Sequence, residues 1–214
     1  MKKIMGILGG TFDPIHAGHI GLCETLLSQF PIEEIRLIPC KTPVHRITPI
    51  ASAEDRLDML KLAISSNKQL IADDCELKRE DDSYTIDTLL DLKQRFDQPL
   101  ALIIGYDAWE HFLSWHRYDD ILKLAHVIIV KRPHYELPKT GALADLLKQH
   151  QTQPFEKLQD SPNGLIYVDD QTDFDVSATE LRAALANHQT TDLISKEVSH
   201  YINEHKLYST TENS

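Results

Sequence analysis

Cysteine is scarce in this 214-residue chain, and its few occurrences form no recognisable site. Cys23, Cys40 and Cys75 are odd in number and widely spaced, and no two of them form a CxxC pair. This pattern excludes the dense disulfide framework of a small secreted protein and argues against a cysteine zinc site. We therefore expect reduced thiols, as is usual in a cytoplasmic protein.

Long apolar segments are lacking as well. No apolar run approaches the roughly 18 residues that a membrane-spanning helix needs. Lys2 and Lys3 are soon followed by glycines and polar residues instead of a long apolar region, so no signal peptide is predicted. Both absences favour a cytoplasmic protein that does not bind membranes.

Positive charge is in deficit. The chain has 22 lysine and arginine residues against 33 aspartate and glutamate residues, which gives a formal net charge of −11 at pH 7. A broad nucleic-acid surface needs a basic face to neutralise phosphates, so this balance argues against a nucleic-acid partner. A small anionic ligand remains compatible with it, because a local cluster of basic side chains can oppose the overall sign.

Apolar periodicity predicts strands that alternate with helices along the chain. Strand-like segments lie at 3–8, 34–39, 69–72, 75–78, 100–105, 126–131 and 164–168. Helical patterns cover about 18–30, 52–64, 85–96, 141–150, 177–185 and 195–206, and a variable polar stretch surrounds the fourth of them at 133–162. We predict an α/β fold, a Rossmann-like doubly wound parallel sheet with a small C-terminal helical extension.

We expect one domain over residues 1–208, whose C-terminal helical part covers about 177–208, and a flexible tail at 209–214. In doubly wound sheets, ligands bind beyond the carboxyl ends of the strands. The candidate site should therefore be built from the segments that follow the strands: 9–19, 39–46, 105–107, 131–132 and 176–182.

The first of these segments, Gly9-Gly10-Thr11-Phe12-Asp13-Pro14-Ile15-His16-Ala17-Gly18-His19, carries the strongest signal. It matches neither GxGxxG nor GxxxxGK[ST], which disfavours a dinucleotide-binding dehydrogenase and a P-loop NTPase. Gly9 and Gly10 let the backbone approach a ligand closely. His16 and His19 can donate hydrogen bonds to phosphate oxygens beside a helix N-terminus that favours anions. Two histidines at this spacing could also bind a metal or lie on the surface, but phosphate contact is the interpretation that we favour.

This segment resembles the GxFDPxHxGH signature of the nucleotidylyltransferase superfamily, which is related to the class I aminoacyl-tRNA synthetases. The resemblance implies an adenylyltransferase. It also implies that His16 and His19 contact the phosphates of ATP and stabilise charge while the α-phosphorus is attacked.

A second element, Val176-Ser177-Ala178-Thr179-Glu180-Leu181-Arg182, resembles the superfamily's ISSTxxR element, with Ala178 in place of one serine. Ser177, Thr179 and the amides of a helix N-terminus can hold the β- and γ-phosphates, and Arg182 can clamp them. On its own, the same element would be interpreted as a capping box followed by a solvent-exposed arginine.

The middle of the chain indicates the second substrate. Three segments and one aromatic residue resemble the bacterial nicotinate-nucleotide adenylyltransferases: Lys-Thr-Pro-Val-His-Arg at 41–46, Ser-Tyr-Thr-Ile-Asp-Thr-Leu at 83–89, Ile-Gly-Tyr-Asp at 104–107, and Trp115. The likeness extends over nearly the entire chain. Val44 departs from the family, which usually has a proline there, whereas His45 and Arg46 agree with it.

The residues and the resemblance together predict two sets of binding residues. The ATP set consists of Gly9, Gly10, Thr11, Phe12, Gly105, Asp107, Arg132, Ser177, Thr179 and Arg182. The set for nicotinate mononucleotide consists of Lys41, His45, Arg46, Thr85, Trp115 and His116. Two alternatives stay open, since Asp107 could instead cap a helix and Arg132 could either lie over the adenine or solvate a strand end.

Nicotinate mononucleotide presents a phosphate, an aromatic cation and a carboxylate. His45 and Arg46 suit the phosphate. Trp115 can stack on the pyridinium ring, unless it is an ordinary half-buried aromatic residue. The resemblance implies that backbone amides near Thr85 and His116 meet the carboxylate.

The expected reaction transfers the adenylyl group of ATP to nicotinate mononucleotide and gives deamido-NAD and pyrophosphate, a step of NAD biosynthesis. Mg²⁺ is expected to arrive on ATP, with few protein ligands and no separate metal site. The alternatives are another acceptor, such as nicotinamide mononucleotide or phosphopantetheine, and a non-catalytic nucleotide-binding regulator with the same fold. The sequence carries no signal for the oligomeric state.

Overall fold

The computed structural model describes residues 3–41, 48–80, 83–131, 136–170, 172, 178–187, 189 and 191–209. Within these residues, six strands form one parallel sheet: β1 (Ile4–Gly10), β2 (Ile32–Pro39), β3 (Leu70–Ala72), β4 (Leu100–Gly105), β5 (Ala125–Val130) and β6 (Ile166–Asp169). The spatial order is β3-β2-β1-β4-β5-β6, so the sheet changes its winding direction between β1 and β4. This arrangement confirms the predicted doubly wound α/β fold and leaves a crevice at the carboxyl ends of β1 and β4.

Helices cover both faces of the sheet. The α-helices in the described part of the chain are α1 (Ala17–Gln29), α2 (Ala53–Ile64), α3 (Thr85–Arg95), α4 (Tyr106–Glu110), α5 (Tyr118–Leu124), α6 (Ala142–His150), α7 (Ala178–Ala186) and α8 (Lys196–Glu204). Two short 3-10 helices lie at Phe112–Ser114 and Phe155–Gln159. Helices α7 and α8 form the predicted helical extension.

Side chains of β1 alternate between two buried clusters. Ile4 and Leu8 join a cluster with residues of α1, α2 and α8, whereas Met5 and Ile7 join a second one with residues of α3, α4 and α5. This alternation follows from the period of two in a strand. Both faces of the sheet are therefore buried, which explains why the strands are continuous apolar runs.

The predicted strand at 75–78 is wrong, because the chain makes a turn there. The Asp73 carboxylate accepts the N–H of Cys75 at 3.1 Å, and the carbonyl of Asp74 accepts the N–H groups of Leu77 and Lys78 at 3.0 and 3.2 Å. An aspartate that binds its own backbone two residues on is a strong turn former. These local bonds replace the ladder bonds of a strand.

The stretch at 133–162 contributes more to the core than its polar composition predicts. Phe155 and Leu158 are buried, and the Phe155 ring stacks on Phe30 with centroids 4.2 Å apart. Helices α4 and α5 were also not predicted individually. Ser177, which would begin the predicted capping box, and residues 210–214 of the predicted tail lie outside the described residues.

Candidate active site

The loop after β1 ends at the buried His16, and His19 lies in the first turn of α1. His16 is the N-cap of α1 and has an extended backbone, with φ at −146°. Its carbonyl accepts the N–H of His19 at 2.9 Å, so the two rings lie one above the other with centroids 3.7 Å apart. The buried Phe12 ring meets His19 edge-on at 5.1 Å. Two imidazoles at the N-terminus of a helix have the chemistry to bind an anionic group.

Arg182 links helix α7 to the loop after β1. Its Nη1 donates to the carbonyl oxygen of Asp13 at 2.9 Å, and its Nη2 donates to Oγ1 of Thr179 at 3.2 Å. The first turns of α7 are thereby brought to the loop that ends at His16. The structure thus brings together the described members of the predicted phosphate-binding groups, whereas Ser177 lies outside the described residues.

Asp13 belongs to the motif but faces the protein interior. Its carboxylate accepts hydrogen bonds from the backbone N–H groups of Ile50 and Ala51 at 2.8 and 3.1 Å and from the hydroxyl of Tyr208 at 2.7 Å. The Asp13 side chain is 7% exposed. Burial and the neighbouring carboxylate raise the pKa of Tyr208 well above its usual range. Asp13 therefore anchors the loop and is not oriented toward a ligand.

Arg56 is a site residue that the sequence did not indicate. Its guanidinium is buried and donates to the carbonyl oxygens of Thr11, Cys40 and Lys41 at 2.6, 2.8 and 3.1 Å. In the sequence it is one polar position of an amphipathic helix, which ordinarily faces solvent. Only the packing of α2 against two loops reveals its place.

The first part of the predicted acceptor loop follows β2. The ammonium group of Lys41 donates to the carbonyl oxygens of Arg79 and Glu80, so the structure ties this lysine to a neighbouring loop. The N–H of Cys40 donates to the carbonyl of Gly10 at 2.9 Å, which holds the loops after β1 and β2 side by side. His45 and Arg46 lie outside the described residues.

A second group of predicted acceptor residues meets at the start of α3. Thr85 is the first residue of this helix, and the Asp87 carboxylate accepts the N–H of Tyr84 at 3.4 Å. The N–H groups in the first turn of a helix have no partner within the helix. The His116 ring lies against Tyr84 at a centroid distance of 4.5 Å, so the segments at 84–85 and 115–116 meet.

Trp115 is half-buried and packs on Phe112, whose ring centroid lies 5.4 Å from its own. Phe112 in turn lies against the fully buried Trp109 at 5.0 Å. One part of the Trp115 ring system is thus fixed by the core, while part remains accessible. Trp115 is therefore a half-buried aromatic residue that packs on the core. This contact leaves part of its ring system available for stacking on a ligand.

Two further ATP-set residues lie at the carboxyl end of β4, beside β1. Gly105 is the N-cap of α4. Asp107 lies in the first turn of α4 and is not its N-cap residue, so simple capping does not describe it. Arg132 lies outside the described residues.

Other features of the described residues contribute nothing to this site. No group of three or more histidine, cysteine, aspartate or glutamate side chains in the described ranges could hold a metal ion. None of the described helices is long and apolar enough to cross a membrane. A polar depression of about 420 Å³ contains no predicted site residue; it is lined by Asp73, Asp74, Cys75, Lys78, Arg79, Asp91 and Arg95.

Two stacked histidines and an arginine thus lie at the switch point of the doubly wound sheet, the place where such sheets bind their ligands. Residues 7–184 match the cytidylyltransferase-like family. The chain is 42% identical over 213 residues to a Coxiella burnetii protein named "Probable nicotinate-nucleotide adenylyltransferase", covering 97% of this chain and 99% of that protein. A protein of the same name from Aeromonas hydrophila is 38% identical over 210 residues, covering 97% and 98%. The chain belongs to the nicotinate-nucleotide adenylyltransferase family.

The fold is also similar to that of a solved structure, the Plasmodium falciparum nicotinic acid mononucleotide adenylyltransferase complexed with NaAD. The TM-score is 0.72, and the match covers 96% of this chain and 97% of that chain. Sequence identity between the two is 19%, so this likeness concerns the fold alone.

Proposed function

We propose that this protein transfers the adenylyl group of ATP to nicotinate mononucleotide, giving deamido-NAD and pyrophosphate in NAD biosynthesis. The observation that carries the proposal is the stacking of His16 on His19 at the carboxyl end of β1, together with the hydrogen bond from Arg182 to the Asp13 carbonyl in the same loop. Membership of the nicotinate-nucleotide adenylyltransferase family supports the choice of acceptor.

The nucleophile in this reaction is a phosphate oxygen of the acceptor. A phosphate monoester has a second pKa of about 6, so it is largely dianionic near pH 7 and needs no general base. The oxygen attacks the α-phosphorus of ATP and forms a new P–O–P linkage. The bond from the α-phosphorus to the bridging oxygen of the β-phosphate breaks, and its electron pair leaves with pyrophosphate.

In this mechanism the protein supplies position and electrostatic stabilisation. His16 and His19 donate hydrogen bonds to the α-phosphate, whose oxygens carry extra charge in the transition state. Arg182, Thr179 and Ser177 hold the β- and γ-phosphates and stabilise the leaving group. Gly9, Gly10, Thr11 and Phe12 line the approach of ATP, and Gly105, Asp107 and Arg132 contact its nucleoside part.

The acceptor is proposed to bind between the start of α3 and the segment at 115–116. Free N–H groups in the first turn of a helix favour a carboxylate. The exposed part of Trp115 offers a face to the pyridinium cation, and His116 closes the same side. Lys41, His45 and Arg46 are proposed to contact the phosphate of the acceptor.

Mg²⁺ is proposed to enter on the phosphates of ATP and to neutralise part of their charge. The groups gathered around the phosphate site are imidazoles and a guanidinium, which attract phosphate and are poor ligands for Mg²⁺. We also propose that residues 1–208 act as one domain. A cytoplasmic location is proposed because Cys23, Cys40 and Cys75 are free thiols.

The test is a comparison of acceptors with purified protein, ATP and Mg²⁺, in which pyrophosphate release is measured. Nicotinate mononucleotide should be the preferred acceptor over nicotinamide mononucleotide and phosphopantetheine. A higher kcat/KM with either of the other two would overturn the choice of acceptor. ATP binding without turnover of any acceptor would instead indicate a regulator.

A further inference from the structure

Arg56 is a buried cation whose described partners are all backbone carbonyl oxygens. Its side chain projects from the first turns of α2, and the residue is 1% exposed. Burying a guanidinium costs free energy unless hydrogen bonds satisfy it. Hydrogen bonds to three backbone carbonyl groups offset part of this cost.

The three carbonyl groups belong to two different loops. Nη1 donates to the carbonyl of Thr11, in the loop that follows β1 and ends at His16. Nη2 donates to Cys40 and Lys41, at the start of the loop after β2. The planar fork therefore spans the gap between the proposed ATP side and the proposed acceptor side, with one nitrogen on each.

The segment just before Arg56 is fixed to the loop after β1. The N–H groups of Ile50 and Ala51 donate to the Asp13 carboxylate at 2.8 and 3.1 Å. Ser52 then caps α2 by accepting the N–H of Asp55 at 3.0 Å. Arg56 is thus held at its base and at its tip, which makes it a rigid spacer between the two loops.

We infer that Arg56 is a positioning residue that fixes the distance between the loop holding the ATP phosphates and the loop holding the acceptor phosphate. The inference rests on the proposed function, in which an acceptor oxygen must lie in line with the α-phosphorus. A misplacement of about 1 Å can cost about 100-fold in rate without removing any group that touches the substrates.

Two substitutions of Arg56 can separate the effect of its geometry from the effect of its charge. A lysine at this position keeps the positive charge but carries all its donors on one nitrogen, whereas Arg56 reaches the two loops with two separate nitrogens. Arg56→Lys should therefore fail nearly as badly as Arg56→Gln. If the charge alone mattered, because it attracts anionic substrates, Arg56→Lys would retain most of the activity.

The experiment measures kcat for Arg56→Lys and Arg56→Gln, together with the Kd of ATP and of nicotinate mononucleotide, each determined alone. Arg36→Gln is the matched control, since Arg36 is also largely buried but pairs with the carboxylates of Glu34 and Asp73. Each protein is assayed well below its own unfolding temperature. Both Arg56 variants should lose about 10-fold or more in kcat, with each Kd changed less than about 3-fold. Arg36→Gln should lose stability and keep its kcat.

The inference is overturned if a folded Arg56→Lys keeps kcat within about 3-fold of the wild type, or if weaker substrate binding explains the whole loss. It is also overturned if Arg36→Gln loses as much turnover as the Arg56 variants do. A failure of the proposed function can be told apart from a failure of this inference. In that case the wild-type protein itself would turn over another acceptor faster than nicotinate mononucleotide. The Arg56 comparison would then be run with that acceptor.

Discussion

Asp13 and the two histidines of the motif have different surroundings in the structure. Asp13 is turned inward and binds Ile50, Ala51 and Tyr208. His16 and His19 stack on each other at the start of α1. A sequence motif marks all of these positions equally, because a motif records which residues are needed and not which way they face.

The two glycines at the end of β1 differ in the space around them. A Cβ on Gly10 would lie 2.9 Å from the ring of Phe12, whereas a Cβ on Gly9 would meet no described atom within 4 Å. Gly10→Ala should therefore displace the Phe12 ring from His19 and cost about 1–3 kcal/mol of stability as well as turnover. Gly9→Ala should unfold at the wild-type temperature and show a raised KM for ATP. Thermal unfolding and steady-state kinetics of the pair check this, and a stable, fully active Gly10→Ala would contradict it.

The Tyr208 hydroxyl is one of three described donors to the buried Asp13 carboxylate. Tyr208→Phe should lower the free energy of unfolding by about 1.5–3 kcal/mol, because a buried carboxylate then lacks a donor. Tyr201→Phe is the control, since its hydroxyl donates to Asp55, a carboxylate whose side chain is 21% exposed. Its loss should stay below about 1 kcal/mol, as water can replace the donor. Equal losses in urea unfolding would show that Asp13 does not depend on Tyr208.

Among the secondary-structure elements, the strands that are buried on both faces were predicted well, because each is a continuous apolar run in the sequence. The continuous apolar runs of β4 and β5 were predicted to within one or two residues. The turn at 75–78 was predicted wrongly, because its basis is a side-chain hydrogen bond of Asp73 and not an apolar pattern. The short helices α4 and α5 have too few residues for a clear helical period.

Strand β5 contains a histidine that should make stability depend on pH. His126 is buried; its Nε2 lies 3.0 Å from the carbonyl of Ser161, to which it donates, and its Nδ1 accepts the N–H of Leu165 at 3.2 Å. Burial lowers the pKa of His126 below its ordinary value, so the folded protein keeps this ring neutral. The unfolded chain takes up a proton at this residue near pH 6.5, which favours unfolding as the pH falls below that value.

Urea unfolding between pH 8 and pH 5 checks this expectation. The wild type should lose up to about 1.4 kcal/mol per pH unit below about pH 6.5 through this residue. His126→Asn should have a smaller pH dependence over the same range, whatever its stability at pH 8. Identical slopes for the two proteins would mean that folding does not lower the pKa of His126.

For the whole molecule, the sequence predicted the fold and the two ends of the proposed phosphate site. It could not predict Arg56, or the contact of Tyr208 with Asp13, because these join positions 45 and 195 residues apart and depend on how the helices pack. The contact between Arg182 and the Asp13 carbonyl has the same origin. Motif residues can be found in a sequence, whereas the residues that position them require the structure.

If the histidine pair stabilises the transition state of adenylyl transfer, deamido-NAD formation by His19→Ala is the decisive measurement. His200→Ala, at an exposed position of α8, is the control. We expect the wild type and His200→Ala to form deamido-NAD and pyrophosphate at equal rates. His19→Ala should be folded and slower by about 100-fold or more, because it lacks one donor to the transition-state charge. Unchanged product formation by folded His19→Ala would contradict the account.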